Sequence, residues 1–136
     1  MLNKKSLIAT VLVSLLFTVL PVSAMNITGT YLCTGNDPTV SPAAFTQKMI
    51  ITKQGDAYPI IEADGGTIVH YKQFGILTGD TLSVAYQATD SKEFGVQVFK
   101  IGHHGKKLSG PYMYWDRFDR KGSETCEKIS DKISLK

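Results

Sequence analysis

Short runs rich in Tyr, Phe, Val, Ile and Thr, separated by glycine-containing turns, limit most strongly how this chain can fold. Turn signals such as Gln54-Gly55-Asp56 and Thr78-Gly79-Asp80 are hairpin-length connections built from residues that tolerate positive φ. The runs between the turns have the length and the residue types of strands. Strands are predicted over residues 27–34, 45–53, 57–63, 67–74, 81–87, 94–101, 107–115 and 123–129.

Alternation along these runs predicts that each strand turns one side toward a core. Leu82, Val84 and Tyr86 share one face of their run, and Val96 and Val98 are set against Gln97 in the next. The fold class is therefore all-β, with about eight antiparallel strands connected up and down. Such a sheet can close into a barrel, which removes its edges, or fold as a β-sandwich.

The two cysteines, Cys33 and Cys126, lie on the first and the last predicted strand. In an oxidising compartment a disulfide is the natural pairing, and two unrelated buried thiols are the alternative. If the sheet closes, the first and last strands become neighbours, and a Cys33–Cys126 bridge would link these two strands. Strand count and cysteine placement together favour the barrel.

Residues 1–24 have the pattern of a removable export signal. Lys4 and Lys5 precede an apolar run from Leu7 to Leu20, and Val22-Ser23-Ala24 fits a small-x-small cleavage site. The run is shorter than the roughly 20 residues that span a bilayer as a helix. We expect cleavage after Ala24, a secreted or periplasmic protein without a stable membrane anchor, and one domain over residues 25–136. An uncleaved anchor is the alternative.

Charge argues against nucleic acid as a partner. The formal net charge of +3 includes Lys4 and Lys5, which leave with the signal, so the remaining domain is nearly neutral. Such a domain has no broad positive field with which to attract phosphates.

Two short patches resemble the calycin superfamily of lipocalins and avidins. Gly29-Thr30-Tyr31 opens the first strand, and Trp115 and Arg117 lie near the end of the chain. In that superfamily a Gly-x-Trp at the start of the barrel packs under a basic residue from the last strands. The resemblance implies an eight-stranded up-and-down barrel with a ligand mouth, closed by Gly29, Tyr31 and Arg117, with Lys128 as a second basic candidate.

Tyr31-Leu32-Cys33 also resembles the first strand of small periplasmic barrels that inhibit lysozyme. The disulfide partner in those proteins lies on the last strand, as Cys126 does here. The resemblance implies a periplasmic inhibitor of lysozyme or of another hydrolase as an alternative function.

Chemistry-bearing residues give little support for an enzyme. His103 and His104 are adjacent and point to opposite faces of an extended segment, so they are not expected to hold one metal ion. No Gly-x-Ser-x-Gly elbow is present, and no cofactor is implied. The carboxylates Asp116, Asp119, Glu124 and Glu127 follow the sign-alternating pattern of an exposed turn. A metal-dependent or hydrolytic enzyme is the disfavoured alternative.

Consecutive large side chains at Tyr112-Met113-Tyr114-Trp115 place aromatic rings on both faces of one strand. One of these faces is expected to look outward and to be available for contact. The predicted function is therefore non-enzymatic binding of a small apolar ligand inside the barrel or of a protein partner at its rim. The candidate ligand-binding residues are His70, Tyr86, Tyr112, Tyr114 and Trp115.

Overall fold

A computed structural model describes residues 25–64, 67, 68 and 71–134, and nine β-strands account for most of these residues. The strands are β1 (Gly29–Asn36), β2 (Ala44–Ile51), β3 (Ala57–Asp64), β4 (Thr67–Ile68), β5 (Tyr71–Thr78), β6 (Thr81–Ala88), β7 (Phe94–Gly102), β8 (Lys107–Tyr114) and β9 (Gly122–Ser130). The predicted export signal and His70 lie outside the described residues.

Eight of these strands form one closed, antiparallel, up-and-down barrel. Each strand pairs with the next along the chain, except that β3 pairs with β5 as well as with the two-residue β4, and β9 returns to pair with β1. The barrel prediction is confirmed, and the sandwich alternative is excluded. The strand predicted over residues 67–74 corresponds to two strands in the structure: β4 ends at Ile68, and β5 begins at Tyr71 and extends to Thr78. No helix among the described residues is long and apolar enough to cross a bilayer.

Cys33 and Cys126 lie directly opposite each other on β1 and β9 and form the predicted disulfide. Both side chains are fully buried on the inner face of the barrel. The bridge links residues separated by 93 positions in the sequence. It therefore fixes the seam at which the first and last strands meet.

Apolar side chains fill one end of the barrel, which we call the closed end. The Tyr31 ring lies there, and its hydroxyl is 2.8 Å from the carbonyl oxygens of both Ile27 and Gly105. Other members of this core are Met49, Ile51, Tyr58, Ile60, Leu82, Val84, Phe99, Ile101 and Leu108. The core ends at the disulfide, and beyond it the inward positions become polar.

The inward faces agree with the alternation in β6 but not in β7. Leu82, Val84 and Tyr86 are buried, whereas Val96 and Val98 are 58% and 44% exposed and Gln97 points inward. The expectation that the valines of β7 face the core is therefore wrong. The reason is that Gln97 lies in the polar half of the barrel, where its amide has a partner on β9.

Candidate functional site

A cavity of about 220 Å³ occupies the other end of the barrel, which we call the open end. It lies where β1, β3, β6 and β8 end and where β2, β5, β7 and β9 begin. Inward positions of these strands and the loop after β1 form its walls. The lining residues are Asp37, Val40, Phe45, Gln47, Glu62, Tyr71, Gln73, Tyr86, Gln97, Tyr112, Tyr114 and Glu124.

Four tyrosines form a connected aromatic wall in this cavity. Tyr71 meets Tyr86 edge to face at 5.5 Å between ring centroids, and Tyr86 meets Tyr114 at 5.9 Å. Tyr114 meets Tyr112 at 5.8 Å, and Tyr112 meets Phe45 at 6.4 Å. Edge-to-face pairs at these distances are favourable, so each ring helps to hold the next in position.

Every hydroxyl of the aromatic wall donates a hydrogen bond to the protein. Tyr114 donates to the Asp37 carboxylate at 2.7 Å, and Tyr71 donates to the Glu93 carboxylate. Tyr86 donates to the Met113 carbonyl at 3.0 Å, and Tyr112 makes a longer bond of 3.4 Å to the Asn36 carbonyl. Burial raises the pKa of all four hydroxyls, so they are neutral at physiological pH.

Two glycines make room for these rings. A Cβ atom on Gly122 would lie 2.1 Å from Cζ of Tyr112, and one on Gly95 would lie 2.3 Å from the Tyr86 hydroxyl oxygen. Both distances are far below van der Waals contact. The absence of a side chain at these positions therefore allows Tyr86 and Tyr112 to lie against neighbouring strands.

Two glutamic acids lie below the aromatic wall, surrounded by glutamine amides. Glu124 is only 3% exposed and accepts hydrogen bonds from Gln97 Nε2 at 2.6 Å and from Gln47 Nε2 at 2.8 Å. Glu62 interacts with the side chains of Gln47 and Gln73. Gln47 therefore connects the two carboxyl groups. No described Lys or Arg forms an ion pair with either of them.

The environment of this pair favours retention of a proton. Burial, together with the nearby charge of Glu124, raises the pKa of Glu62 to about 7. Burial also raises the pKa of Glu124, against the effect of its hydrogen bonds from Gln97 and Gln47. Because the charge of Glu124 opposes ionisation of Glu62, Glu62 is only partly ionised near neutral pH.

Charged groups also lie at the mouth of the cavity. Burial of Asp37 opposes its ionisation, but hydrogen bonds from Thr39 and Tyr114 and the charge of Arg117 outweigh this, and the pKa of Asp37 is lowered. Arg117 pairs with Glu93, and its guanidinium carbon lies 4.1 Å from the Tyr114 ring centroid. The mouth is therefore held together by contacts between the loops after β1, β6 and β8.

Outside the mouth, three aromatic side chains form what we call the rim cluster: Phe94, Trp115 and Phe118. Trp115 stacks on Phe94 at 5.3 Å and meets Phe118 edge to face at 5.6 Å. Their exposed fractions are 42%, 61% and 65% for Phe94, Trp115 and Phe118. The expected outward aromatic face of this segment is thus present.

The structure brings together only some of the residues selected from sequence. Tyr86, Tyr112 and Tyr114 line the cavity, whereas Trp115 lies outside it in the rim cluster. Gly29 and Tyr31 are at the closed end, and Arg117 is at the open end. The basic group that contacts Tyr31 is Lys128, whose Nζ lies 5.6 Å from the ring centroid.

Sequence reasoning missed the carboxyl and amide side chains that lie below the aromatic wall, which we call the polar floor of the cavity. It assigned Glu124 to an exposed turn and did not select Glu62, Gln47, Gln73 or Gln97. One signal was available, because residues two apart on a strand share a face. A buried Cys126 therefore places Glu124 inside, and a buried Cys33 opposite Gln47 places that glutamine inside as well.

No metal centre is evident in the part of the chain that the structure describes. The one candidate group of ligand atoms there comprises Cys33, Glu124 and Cys126, and its two sulfurs are joined in the disulfide. His103 and His104 form a short 3₁₀ turn at the closed end, both with positive φ.

No known protein family and no curated protein matches this chain.

Proposed function

We propose that the protein is an exported, non-enzymatic, calycin-like binding protein that holds a small ligand at the open end of its barrel. The observation that carries this proposal is the cavity of about 220 Å³ with its wall of fixed aromatic rings. A dry cavity of roughly 150 Å³ is sufficient for benzene. A ligand with one ring and a short substituent therefore suits the volume.

The cavity combines apolar and polar contacts as small-molecule sites do. Ring faces from Phe45 and the tyrosines supply apolar surface, while Glu62, Glu124 and their glutamines supply polar groups at one place. A purely apolar ligand would leave the polar floor unused. We therefore infer an amphipathic ligand whose ring packs on the aromatic wall and whose polar group points to the floor.

Export is supported by two independent features. The buried Cys33–Cys126 disulfide fits an oxidising compartment, and residues 1–24 have the pattern of a cleavable signal. Together they support a secreted or periplasmic location.

Native mass spectrometry of protein recovered from its own compartment tests the proposal. Val40 lines the mouth and is 55% exposed, so Val40→Trp should block entry while disturbing the fold little. Val98→Trp, on the outer face of β7, is the matched control. We expect a retained small molecule on the wild type and on Val98→Trp, but not on Val40→Trp. No added mass on any form, or equal retention by Val40→Trp, would contradict the proposal.

A protein partner at the rim is the second candidate, and the exposed rim cluster favours it. Large aromatics that stack in solvent are typical of contact surfaces. A lysozyme or another hydrolase is the partner suggested by the Tyr31-Leu32-Cys33 resemblance. Inhibition of a c-type lysozyme at equimolar protein, lost in Trp115→Ala and kept in Val40→Trp, would support this candidate over the ligand cavity.

A further inference from the structure

Building on the proposed ligand cavity, we propose that its ligand is a small organic monocation, whose ammonium group binds between Glu62 and Glu124 while its ring packs on the tyrosines. Three properties of the cavity point to this class of ligand: its hydrogen-bonding groups, its carboxyl charge and its aromatic surface.

Six described side chains that line the cavity donate hydrogen bonds to the protein itself. The four tyrosine hydroxyls donate to Asp37, Glu93 and two backbone carbonyls. The amides of Gln47 and Gln97 donate to Glu124. The carboxylate oxygens of Glu62 and Glu124 have further lone pairs with which to accept hydrogen bonds from a ligand. An ammonium group has three donors and no acceptor, and is the complement of such a lining.

Charge favours the same class of ligand. Glu124 is buried and Glu62 is partly buried, and among the described residues the groups that act on them are glutamine amides and, for Glu62, the charge of Glu124. A buried carboxylate without a cationic partner is costly, so these groups hold a proton when the cavity has no ligand. A bound monocation would take the place of that proton and leave the net charge of the site unchanged. An anionic ligand would add a like charge and is excluded.

Aromatic faces stabilise organic cations in addition. A cation within about 6 Å of a tyrosine ring centroid is attracted by the negative face of the ring. Tyr114 already makes such a contact with Arg117 at 4.1 Å. A hard divalent metal ion, by contrast, takes six or more oxygen ligands, and a wall of tyrosine rings does not provide them.

Three probes that share one ring but differ in charge test the inference by isothermal titration calorimetry at pH 7.5: benzylamine, benzyl alcohol and benzoate. We expect benzylamine to bind the wild-type protein at least about tenfold more tightly than benzyl alcohol, and benzoate not to bind. Glu62→Gln and Glu124→Gln should abolish this preference for benzylamine over benzyl alcohol. Glu127→Gln is the matched control, because this side chain is 60% exposed on the same strand as Glu124.

The outcomes separate the two proposals. Benzyl alcohol binding as tightly as benzylamine, or a preference that survives in both Glu→Gln variants, would overturn the cation while leaving the ligand cavity in place. Absence of binding by all three probes would overturn both. Circular dichroism spectra that match the wild type show that both variants are folded, so that loss of the benzylamine preference is not due to unfolding.

Discussion

Gln47 Nε2 donates a 2.8 Å hydrogen bond to Glu124 Oε1 across the interior of the barrel, from β2 to β9. Gln47 lies directly opposite Cys33 on the neighbouring strand β2, and Glu124 is two residues before Cys126 on β9. The disulfide thus lies at the boundary between an apolar closed end and a polar open end. This division separates the apolar core from the cavity that we propose as the binding site.

The disulfide is expected to contribute strongly to stability. Replacing both residues, Cys33→Ala with Cys126→Ala, removes a cross-link between positions 93 residues apart. Loop-closure entropy for a loop of this order corresponds to about 4 kcal/mol, so the free energy of unfolding should fall by about that amount. Urea denaturation of the double variant measures it. An unchanged free energy of unfolding would show that the hydrogen bonds between β1 and β9 are sufficient to keep these two strands paired.

Glu62 is expected to make stability depend on pH. Because its pKa is raised to about 7 in the folded protein, the folded state binds more protons than the unfolded state between about pH 4.5 and 7. The contribution of Glu62 to the free energy of unfolding therefore falls as pH rises through this window and is constant above it. Glu62→Gln removes the effect and should become more stable than wild type by about 2–3 kcal/mol at pH 8, with little difference at pH 4.5.

Urea unfolding at both pH values, with Glu127→Gln as the exposed control, measures this difference. A Glu62→Gln variant that is equally or less stable than wild type at pH 8 would contradict the raised pKa.

Amine binding should weaken in acid. The carboxylate form of Glu62 is the form that attracts a cation, whereas Asp37, with its lowered pKa, stays charged and the tyrosines stay neutral. Aliphatic ammonium groups also remain protonated across this range. Benzylamine affinity should therefore fall about 20-fold between pH 7.5 and 5.5, because one proton on Glu62 competes with the bound cation. Benzyl alcohol affinity, measured by the same calorimetry, should not change; parallel loss of both would point to a change in the fold.

Gly122 is expected to tolerate no side chain. A Cβ there would overlap the Tyr112 ring, whereas a Cβ on Gly102 would meet nothing within 4 Å. Gly122→Ala should lower the free energy of unfolding by about 1–3 kcal/mol, the usual cost of overpacking, and reduce ligand binding through the displaced ring. Gly102→Ala should change neither. Equal stabilities of the two variants in urea denaturation would show that Tyr112 moves aside freely.

Most of the architecture was predictable because it depends on local signals. Two-residue hairpins such as the one joining Thr78 to Thr81 follow from turn chemistry, and the placement of Cys33 and Cys126 indicated which strands close the barrel. Both signals are visible in a short stretch of sequence.

The inside of the open end was less predictable, because assigning apolar residues to the interior fails where the interior is polar. Val96 and Val98 face solvent and Gln97 faces the cavity, the reverse of what hydrophobicity suggests. The partners that make a buried Gln97 acceptable come from β9 and are invisible in the local sequence. For the same reason Glu124 resembled a solvated acid until its barrel position was known.

The side-chain amide signals of Gln47, Gln73 and Gln97 in ¹H–¹⁵N NMR spectra, followed during titration with benzylamine, test the central claim most directly. These amides surround Glu62 and Glu124, and the Trp115 indole N–H reports separately on the rim cluster. If the open end of the barrel binds the amine, all three amide signals shift with one saturating affinity while the indole signal stays in place. A shift of the indole signal alone, or of no signal, would contradict the account.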